Sequence, residues 1–300
     1  MSWHALGDWG TSNLRLYRVE DGRVTDRRDG PGIGALPGSP ADALREALAP
    51  WVAAQPPAGI TLCGMAGSRG GLQEAPYVDC PASVEGWAGA ALSLDFEGTP
   101  LHIAPGLACM GGDGAPDVMR GEETQIFGAL ALDADLGTRS CHFVLPGTHS
   151  KWARIERGQI RDFRTCLSGE LFALLRDHSV LLGLGTPTTP ADEPQGFVDG
   201  LDRAANGGGL VGSLFEARAQ QLRGGRSASW ALGFLSGLVI GNEIADMRGG
   251  LGPEDAVVLI GTAELTERYG QALQRFGVTA KAMDGAACAM RGLEFIDAHH

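Results

Sequence analysis

The chain has 300 residues, is 44% apolar, and carries 36 acidic against 24 basic side chains for a net charge of -12. That size supplies a core large enough for two lobes, and an acidic chain with no stripe of Lys or Arg makes nucleic acid and anionic membrane poor partners. The six cysteines, Cys63, Cys80, Cys109, Cys141, Cys166 and Cys288, contain no Cys-x-x-Cys pair, and residues 1–6 have neither the charged nor the apolar region of a signal peptide, so reduced thiols and a cytoplasmic location are expected.

The first elements form a recognisable grammar. Trp3 to Asp8 is an apolar run closed by an acid, Gly10-Thr11-Ser12 follows, and Leu14, Leu16 and Val19 precede Asp21-Gly22. The spacing predicts strand, glycine turn, strand, tight hairpin, strand. Arg120 to Leu130 reads as a helix with acids in its first turn, where the macrodipole favours them, and with Ile126, Phe127 and Leu130 as its apolar face. The opening grammar then returns: Cys141 to Leu145, Gly147-Thr148-His149-Ser150, Trp152 and Ile155, and a turn at Arg157-Gly158. Gly10-Thr11 aligns with Gly147-Thr148, and Gly22 aligns with Gly158 after a one-residue deletion.

Further on, 167–182 and 209–223 carry helical apolar stripes, Leu171, Phe172, Leu174, Leu175 and Val180 in the first and Leu210, Leu214, Phe215 and Leu222 in the second. Pro187, Pro190, Pro194 and Gly196 mark a lid-like loop between them. Ala231 to Ile240 is the longest apolar stretch, interrupted by Gly233, Ser236 and Gly237, and too short to cross a bilayer. Ala256 to Ile260 reads as a buried strand running into Gly261-Thr262, with a helix to about Phe276. His4, His102, His142 and His178 have no evident partners and read as core or surface residues.

Chemistry enters through the two glycine tips. Small residues let backbone N–H groups approach phosphate oxygens, hydroxyls add donors, and a nearby carboxylate holds magnesium through water. Either Gly-Thr alone also reads as an ordinary turn; two in register suggest equivalent lobes gripping a polyphosphate. The acids that open the helix at 122 read either as decoration of a helix start or as a proton acceptor for an attacking hydroxyl. Gly261-Thr262, where a strand meets a helix, is a further nucleotide-contact candidate.

Asp8-Trp9-Gly10-Thr11-Ser12-Asn13-Leu14-Arg15, Gly64-Met65-Ala66-Gly67-Ser68-Arg69 with Glu74-Ala75-Pro76-Tyr77-Val78, Met119-Arg120-Gly121-Glu122-Glu123-Thr124-Gln125 and Pro146-Gly147-Thr148-His149-Ser150-Lys151-Trp152 together resemble the 2-dehydro-3-deoxygalactonokinase family. The likeness continues through Ser168 to Leu175 and Gly237 to Ile244. The family lies in the superfamily of sugar kinases, heat-shock chaperones and actin. The resemblance implies an α/β protein of two ribonuclease H-like lobes, with mixed sheets flanked by helices and an active site in the interlobe cleft. Residues 1–134 would form the first lobe and 135–300 the second, with the adenosine site in the second and the last helix packing back on the first.

The implied reaction is transfer of the ATP γ-phosphoryl to the 6-hydroxyl of 2-dehydro-3-deoxy-D-galactonate, on the galactonate breakdown route. Asp8 matches the magnesium-organising acid, and Gly10, Thr11 and Ser12 match the phosphate turn beside it. Gly147 and Thr148 match the second turn, where Leu145 replaces the acid, so His149 and Lys151 are expected to supply positive charge. Glu122 occupies the general-base slot of related glycerol and xylulose kinases, with Asp117 and Glu123 as reserves; Asp117 alternatively caps the helix. Ser68, Arg69 and Arg120 are the candidates for the substrate, whose carboxylate calls for a two-pronged cation, Arg69 first and Arg120 second; Arg69 reads equally as a solvated loop charge. ATP and magnesium are thus the expected cofactors, a small sugar acid the expected partner, and a homodimer stays open. The competing readings are a kinase for another sugar acid, neutral sugar or polyol, and a non-catalytic nucleotide-binding relative.

Overall fold

The computed structural model describes residues 2–53, 55–111, 114–183 and 192–300. They divide into two compact units, Met1–Cys141 with Ala153–Arg164 and Met283–His300, and His142–Trp152 with Thr165–Ala282. The units interleave along the chain.

In the first unit β1 (Trp3–Trp9), β2 (Asn13–Glu20) and β3 (Arg23–Pro31) form an antiparallel meander. Helix α1 (Pro40–Val52) starts on Ser39, whose hydroxyl accepts the Asp42 N–H. β4 (Gly59–Gly64) is buried at all six positions, as befits a strand covered on both faces, and pairs parallel with β1. After β5 (Tyr77–Asp79) and α2 (Val84–Ala88) come β6 (Leu92–Phe96), β7 (Thr99–Ile103), β8 (Gly106–Met110) and β9 (Pro116–Met119), then α3 (Glu122–Leu132). The main sheet runs β3-β2-β1-β4-β7-β6, and β5-β8-β9 make a small second sheet.

Side chains alternate faces along a strand. Trp3, Ala5 and Trp9 therefore join Leu44, Leu48 and Trp51 of α1 in one core, while His4 on the other face meets Asp297 of the last helix.

The repeat continues with β10 (Cys141–Leu145), β11 (Ser150–Glu156) and β12 (Gln159–Cys166). Both tight turns place two residues in the left-handed region, Asp21 and Gly22 at φ 50° and 72°, Arg157 and Gly158 at 51° and 73°. That geometry matches the twist of the flanking strands. Helices α4 (Ser168–His178), α5 (Glu193–Ala205), α6 (Leu210–Leu214), α7 (Glu216–Arg223) and α8 (Ala228–Met247) follow. β13 (Ala256–Gly261), α9 (Ala263–Arg275), β14 (Ala280–Asp284) and α10 (Gly285–His299) complete the chain. The strand order β12-β11-β10-β13-β14 reproduces the β3-β2-β1-β4 order of the first sheet.

Several expectations need correction. The stripe at 209–223 is two helices divided at Phe215, which is 59% exposed, and Leu174 and Val180 also face solvent. Pro187 and Pro190 lie outside the described residues, but Pro194 stands in the first turn of α5 and Gly196 inside it, where proline's fixed φ suits a helix start. Three histidines do have partners: His4 with Asp297 at 2.9 Å, His142 with Asp255 at 3.1 Å, and His102 with Ser93 at 3.0 Å. Their carboxylates and hydroxyl are distant in sequence or across a hairpin. The 228–250 segment is long and apolar enough to span a bilayer, yet 83% of an 18-residue apolar stretch within it is buried inside the protein as a core helix.

Candidate active site

Two glycines build the acidic site of the first unit. Gly64 ends β4 at φ 74° and Gly121 precedes α3 at φ 110°. A Cβ on Gly121 would stand 3.1 Å from the Gly64 Cα, so the two backbones touch. This contact sets the first turn of α3 at the carboxyl ends of β1 and β4, the end of an α/β sheet where ligands bind. Asp8 lies there, opposite Arg15 on β2 and Cys63 on β4. Its carboxylate accepts from Arg15 Nη1 at 3.3 Å and from Cys63 Sγ at 3.8 Å. Burial raises the Asp8 pKa, Arg15 opposes that rise, and the Glu122 carboxylate adds to it. Asp8 and Glu122 are thus electrostatic neighbours.

The two acids of α3 divide their duties. Glu123 is fully buried; both its oxygens accept the Gly121 N–H at 2.8 Å and one accepts the Thr124 hydroxyl at 3.2 Å. Burial first, then the Glu122 charge, pushes it up to about 8. Glu122 stays half-buried, with Oε2 accepting the Arg120 N–H at 3.2 Å. Asp117 sits on β9, where its carboxylate accepts the Val118 N–H, and Gly121 takes the helix-cap position instead.

Arg120 is clamped. Its guanidinium lies 4.3 Å from the Tyr77 ring centre, Nη2 donates to the Ala75 carbonyl at 2.8 Å, and Nη1 packs so closely on Gly67 that a Cβ there would meet it at 2.8 Å. Nε and Nη1 are shielded from solvent and have no hydrogen-bond partner among the described residues. Arg69, by contrast, has an 89% exposed side chain tied to Glu74 at 3.2 Å, and Ser68 turns its hydroxyl back to the Met65 carbonyl.

The glycine turns are placed by their supports. Carbonyls of Gly10, Thr11 and Ser12 accept from Ile33, Gly34 and Gly32, leaving the Thr11 and Ser12 side chains exposed. In the second unit the start of α4 backs the Gly147-Thr148 turn. A Cβ on Gly169 would stand 2.2 Å from the Gly147 carbonyl oxygen, and the Glu170 N–H donates to the Thr148 carbonyl at 2.9 Å. His149 pairs with Glu170 at 2.5 Å, and Lys151 is buried with Nζ donating to the His149 carbonyl at 3.1 Å. Gly261 ends β13, where an added Cβ would lie 3.9 Å from Pro146 Cδ, and Thr262 caps α9. Gly147, Thr148, Gly261 and Thr262 are therefore gathered at one end of their sheet. At Gly147 itself, φ is not positive and an added Cβ would meet nothing within 4 Å among the described residues. Neither backbone strain nor internal packing asks for glycine there.

Sequence reasoning passed over Cys63, the Gly64–Gly121 contact, the Gly169 support and a buried carboxylate, Glu243. Their segments carried the family resemblance, but no residue type in them announces its spatial partner.

Twin sheets opening on one hairpin, with a carboxylate cluster in one unit and a supported glycine turn in the other, are those of an actin-like sugar kinase. The family model described as 2-keto-3-deoxy-galactonokinase matches residues 8–296. The 2-dehydro-3-deoxygalactonokinase of Escherichia coli K12 is 38% identical over 291 residues, covering 96% of this chain and 95% of that protein. A relative from Rhizobium meliloti 1021, assigned the same activity, is 37% identical with 97% and 95% covered. A crystal structure from Sinorhizobium meliloti, of a protein given the same assignment, superposes with a TM-score of 0.86 at 36% identity, over 99% of this chain and 98% of that one. The chain belongs to the 2-keto-3-deoxy-galactonokinase family.

Proposed function

We propose that this protein transfers the γ-phosphoryl of ATP to the 6-hydroxyl of 2-dehydro-3-deoxy-D-galactonate, a step of galactonate breakdown in the cytoplasm. The observation that carries the reading is the convergence of Asp8 and half-buried Glu122 at the carboxyl ends of β1 and β4. Phosphoryl transfer asks a protein mainly to position its reactants and offset charge. Glu122 accepts the proton of the acceptor hydroxyl, and the Arg120 N–H holds its other end. The turns at Gly10-Thr11-Ser12 and Gly147-Thr148 donate to phosphate oxygens, with His149 and Lys151 near the second, while Gly261 and Thr262 contact the nucleoside side.

Asp8 has Arg15 as counter-charge and feels the Glu122 charge, and its carboxylate fits the role of holding a hydrated magnesium ion. Magnesium, when bound, offsets phosphate charge.

Arg120 anchors the acceptor's carboxylate. Burying two guanidinium nitrogens without partners among the described residues costs stability, and an anionic oxygen would supply one. Ser68 lines the same loop, and Arg69 contributes little from its solvated position. A coupled ADP-release assay across sugar acids, with and without the 2-keto-3-deoxy pattern, tests the substrate. Glu122→Gln should lower kcat about 100-fold; activity within a few-fold of the parent would move the base elsewhere. Arg120→Ala should raise the acceptor KM by about tenfold or more with the ATP KM held, while Arg69→Ala stays within about threefold. The reverse ranking would return the carboxylate to Arg69.

A further inference from the structure

Among the described residues of the second unit's core, Glu243 is the buried acid that the proposed reaction leaves unused. It lies on α8, 5% exposed, amid an apolar cluster that includes Ile240, Ile244 and Leu259. Oε1 accepts from Ser150 Oγ at 2.7 Å and from Trp152 Nε1 at 2.7 Å, and Oε2 accepts from Tyr269 OH at 2.8 Å. Ser150 and Trp152 are two apart on β11, so both face α8 and share one oxygen. Among the described residues the three donors are neutral and no ion pair reaches the carboxylate.

A buried charge without a counter-ion is an expensive way to fill a core, and an apolar side chain would do that cheaply. What this carboxylate does that an apolar group cannot is fix three donors from separate elements at hydrogen-bond distance. Ser150 is the residue that closes the Gly147-Thr148-His149 turn. Tyr269 lies on α9, two turns beyond the Gly261-Thr262 junction. Burial, then the Glu243 charge, keeps the Tyr269 hydroxyl well above its ordinary pKa and so protonated as a donor.

We infer that Glu243 is a positioning residue for nucleotide binding: through Ser150 and Tyr269 it sets the spacing between the Gly147-Thr148 turn and the Gly261-Thr262 junction. The inference rests on the reading of those two segments as the ATP contacts of the second unit. The hydrogen-bond partners of Glu243 all belong to the second unit, which bears the proposed ATP contacts, so its signature is selective for ATP.

The test removes one hydroxyl at a time. Ser150→Ala and Tyr269→Phe, each verified as folded by circular dichroism and thermal melting, should each raise the ATP KM about fivefold or more with the acceptor KM within twofold. Glu243→Ala should raise the ATP KM to a similar extent, whereas Glu243→Gln, which keeps one carbonyl oxygen for Ser150 and Trp152, should escape most of that rise. Should Glu243→Ala fail to fold, the two hydroxyl deletions still decide. The control is Gly147→Val, whose Cβ would meet nothing within 4 Å among the described residues. If Gly147→Val raises the ATP KM while Ser150→Ala and Tyr269→Phe leave it within twofold, the positioning role is overturned. If Gly147→Val also leaves the ATP KM unchanged, the nucleotide assignment fails first and the inference goes with it. Equal rises in both KM values for the hydroxyl deletions would reduce Glu243 to a general core brace and likewise overturn it.

Discussion

Glu122 and Glu123 are neighbours of identical chemistry, yet α3 leaves one half-buried and seals the other against the Gly121 N–H. The sealed group has a pH consequence. Its folded-state pKa of about 8 stands above the ordinary 4.5, so the folded protein holds an extra proton between those values. Stability from this group is complete at acid pH and falls as pH rises through that window. Relative to Glu123→Gln, which has no proton to lose, the parent should lose on the order of a few kcal/mol between about pH 5 and pH 8. Urea unfolding of both proteins across that range reads the difference; a gap that stays constant with pH would mean the buried carboxyl ionises normally. Which acid is which was not legible in the sequence, because Met119-Arg120-Gly121-Glu122-Glu123 gives no sign that Gly121 adopts φ 110° and rotates the second acid inward. The same limit hid the difference between Arg69 and Arg120. Both follow small residues or a strand in the sequence, and only the Tyr77 ring and Gly67 clamp one of them.

Elements were more readable than side-chain pairings. The two hairpins announce themselves because a tight turn needs residues tolerant of positive φ at fixed places, and Asp21-Gly22 and Arg157-Gly158 supply them. The glycines of 228–247 were harder, since interruption of an apolar stretch by Gly233 and Gly237 looks like weakness. In the structure they are contact points. A Cβ on Gly233 would stand 2.1 Å from the Glu193 carbonyl oxygen and one on Gly237 2.1 Å from that of Phe197, while Gly196 and Gly200 on α5 approach α8 as closely. The two helices therefore pack backbone on backbone. Gly237→Ala should force them apart and lower unfolding stability by about 3 kcal/mol or more, seen as a reduced urea midpoint. A change below about 0.5 kcal/mol would show that the pair slides freely, against the dense packing of protein interiors.

At the scale of the molecule, a net charge of -12 has to coexist with anionic reactants, and the structure meets this locally. Arg120 keeps Nε and Nη1 shielded and without partners among the described residues of the first unit, and the α4 N-terminus backs a glycine turn in the second. Composition makes nucleic acid a poor partner but gives no hint of these local reversals of sign. Long-range order was partly legible: the recurrence of the hairpin foretold twin sheets, whereas the return of 283–300 to the first unit depends on packing between helices some 160 residues apart, for which no local signal exists.

That returning helix has a bearing on synthesis. α10 is made after every other element described, yet α3 rests on it so tightly that a Cβ on Gly128 would stand 1.8 Å from the Cys288 carbonyl oxygen and one on Gly292 2.0 Å from that of Thr124. The helix bearing Glu122 thus acquires its seat only once those late residues have left the ribosome. A nascent chain stalled or clipped before α10 lacks the surface on which α3 is seated, so the order of translation sets when that helix can pack.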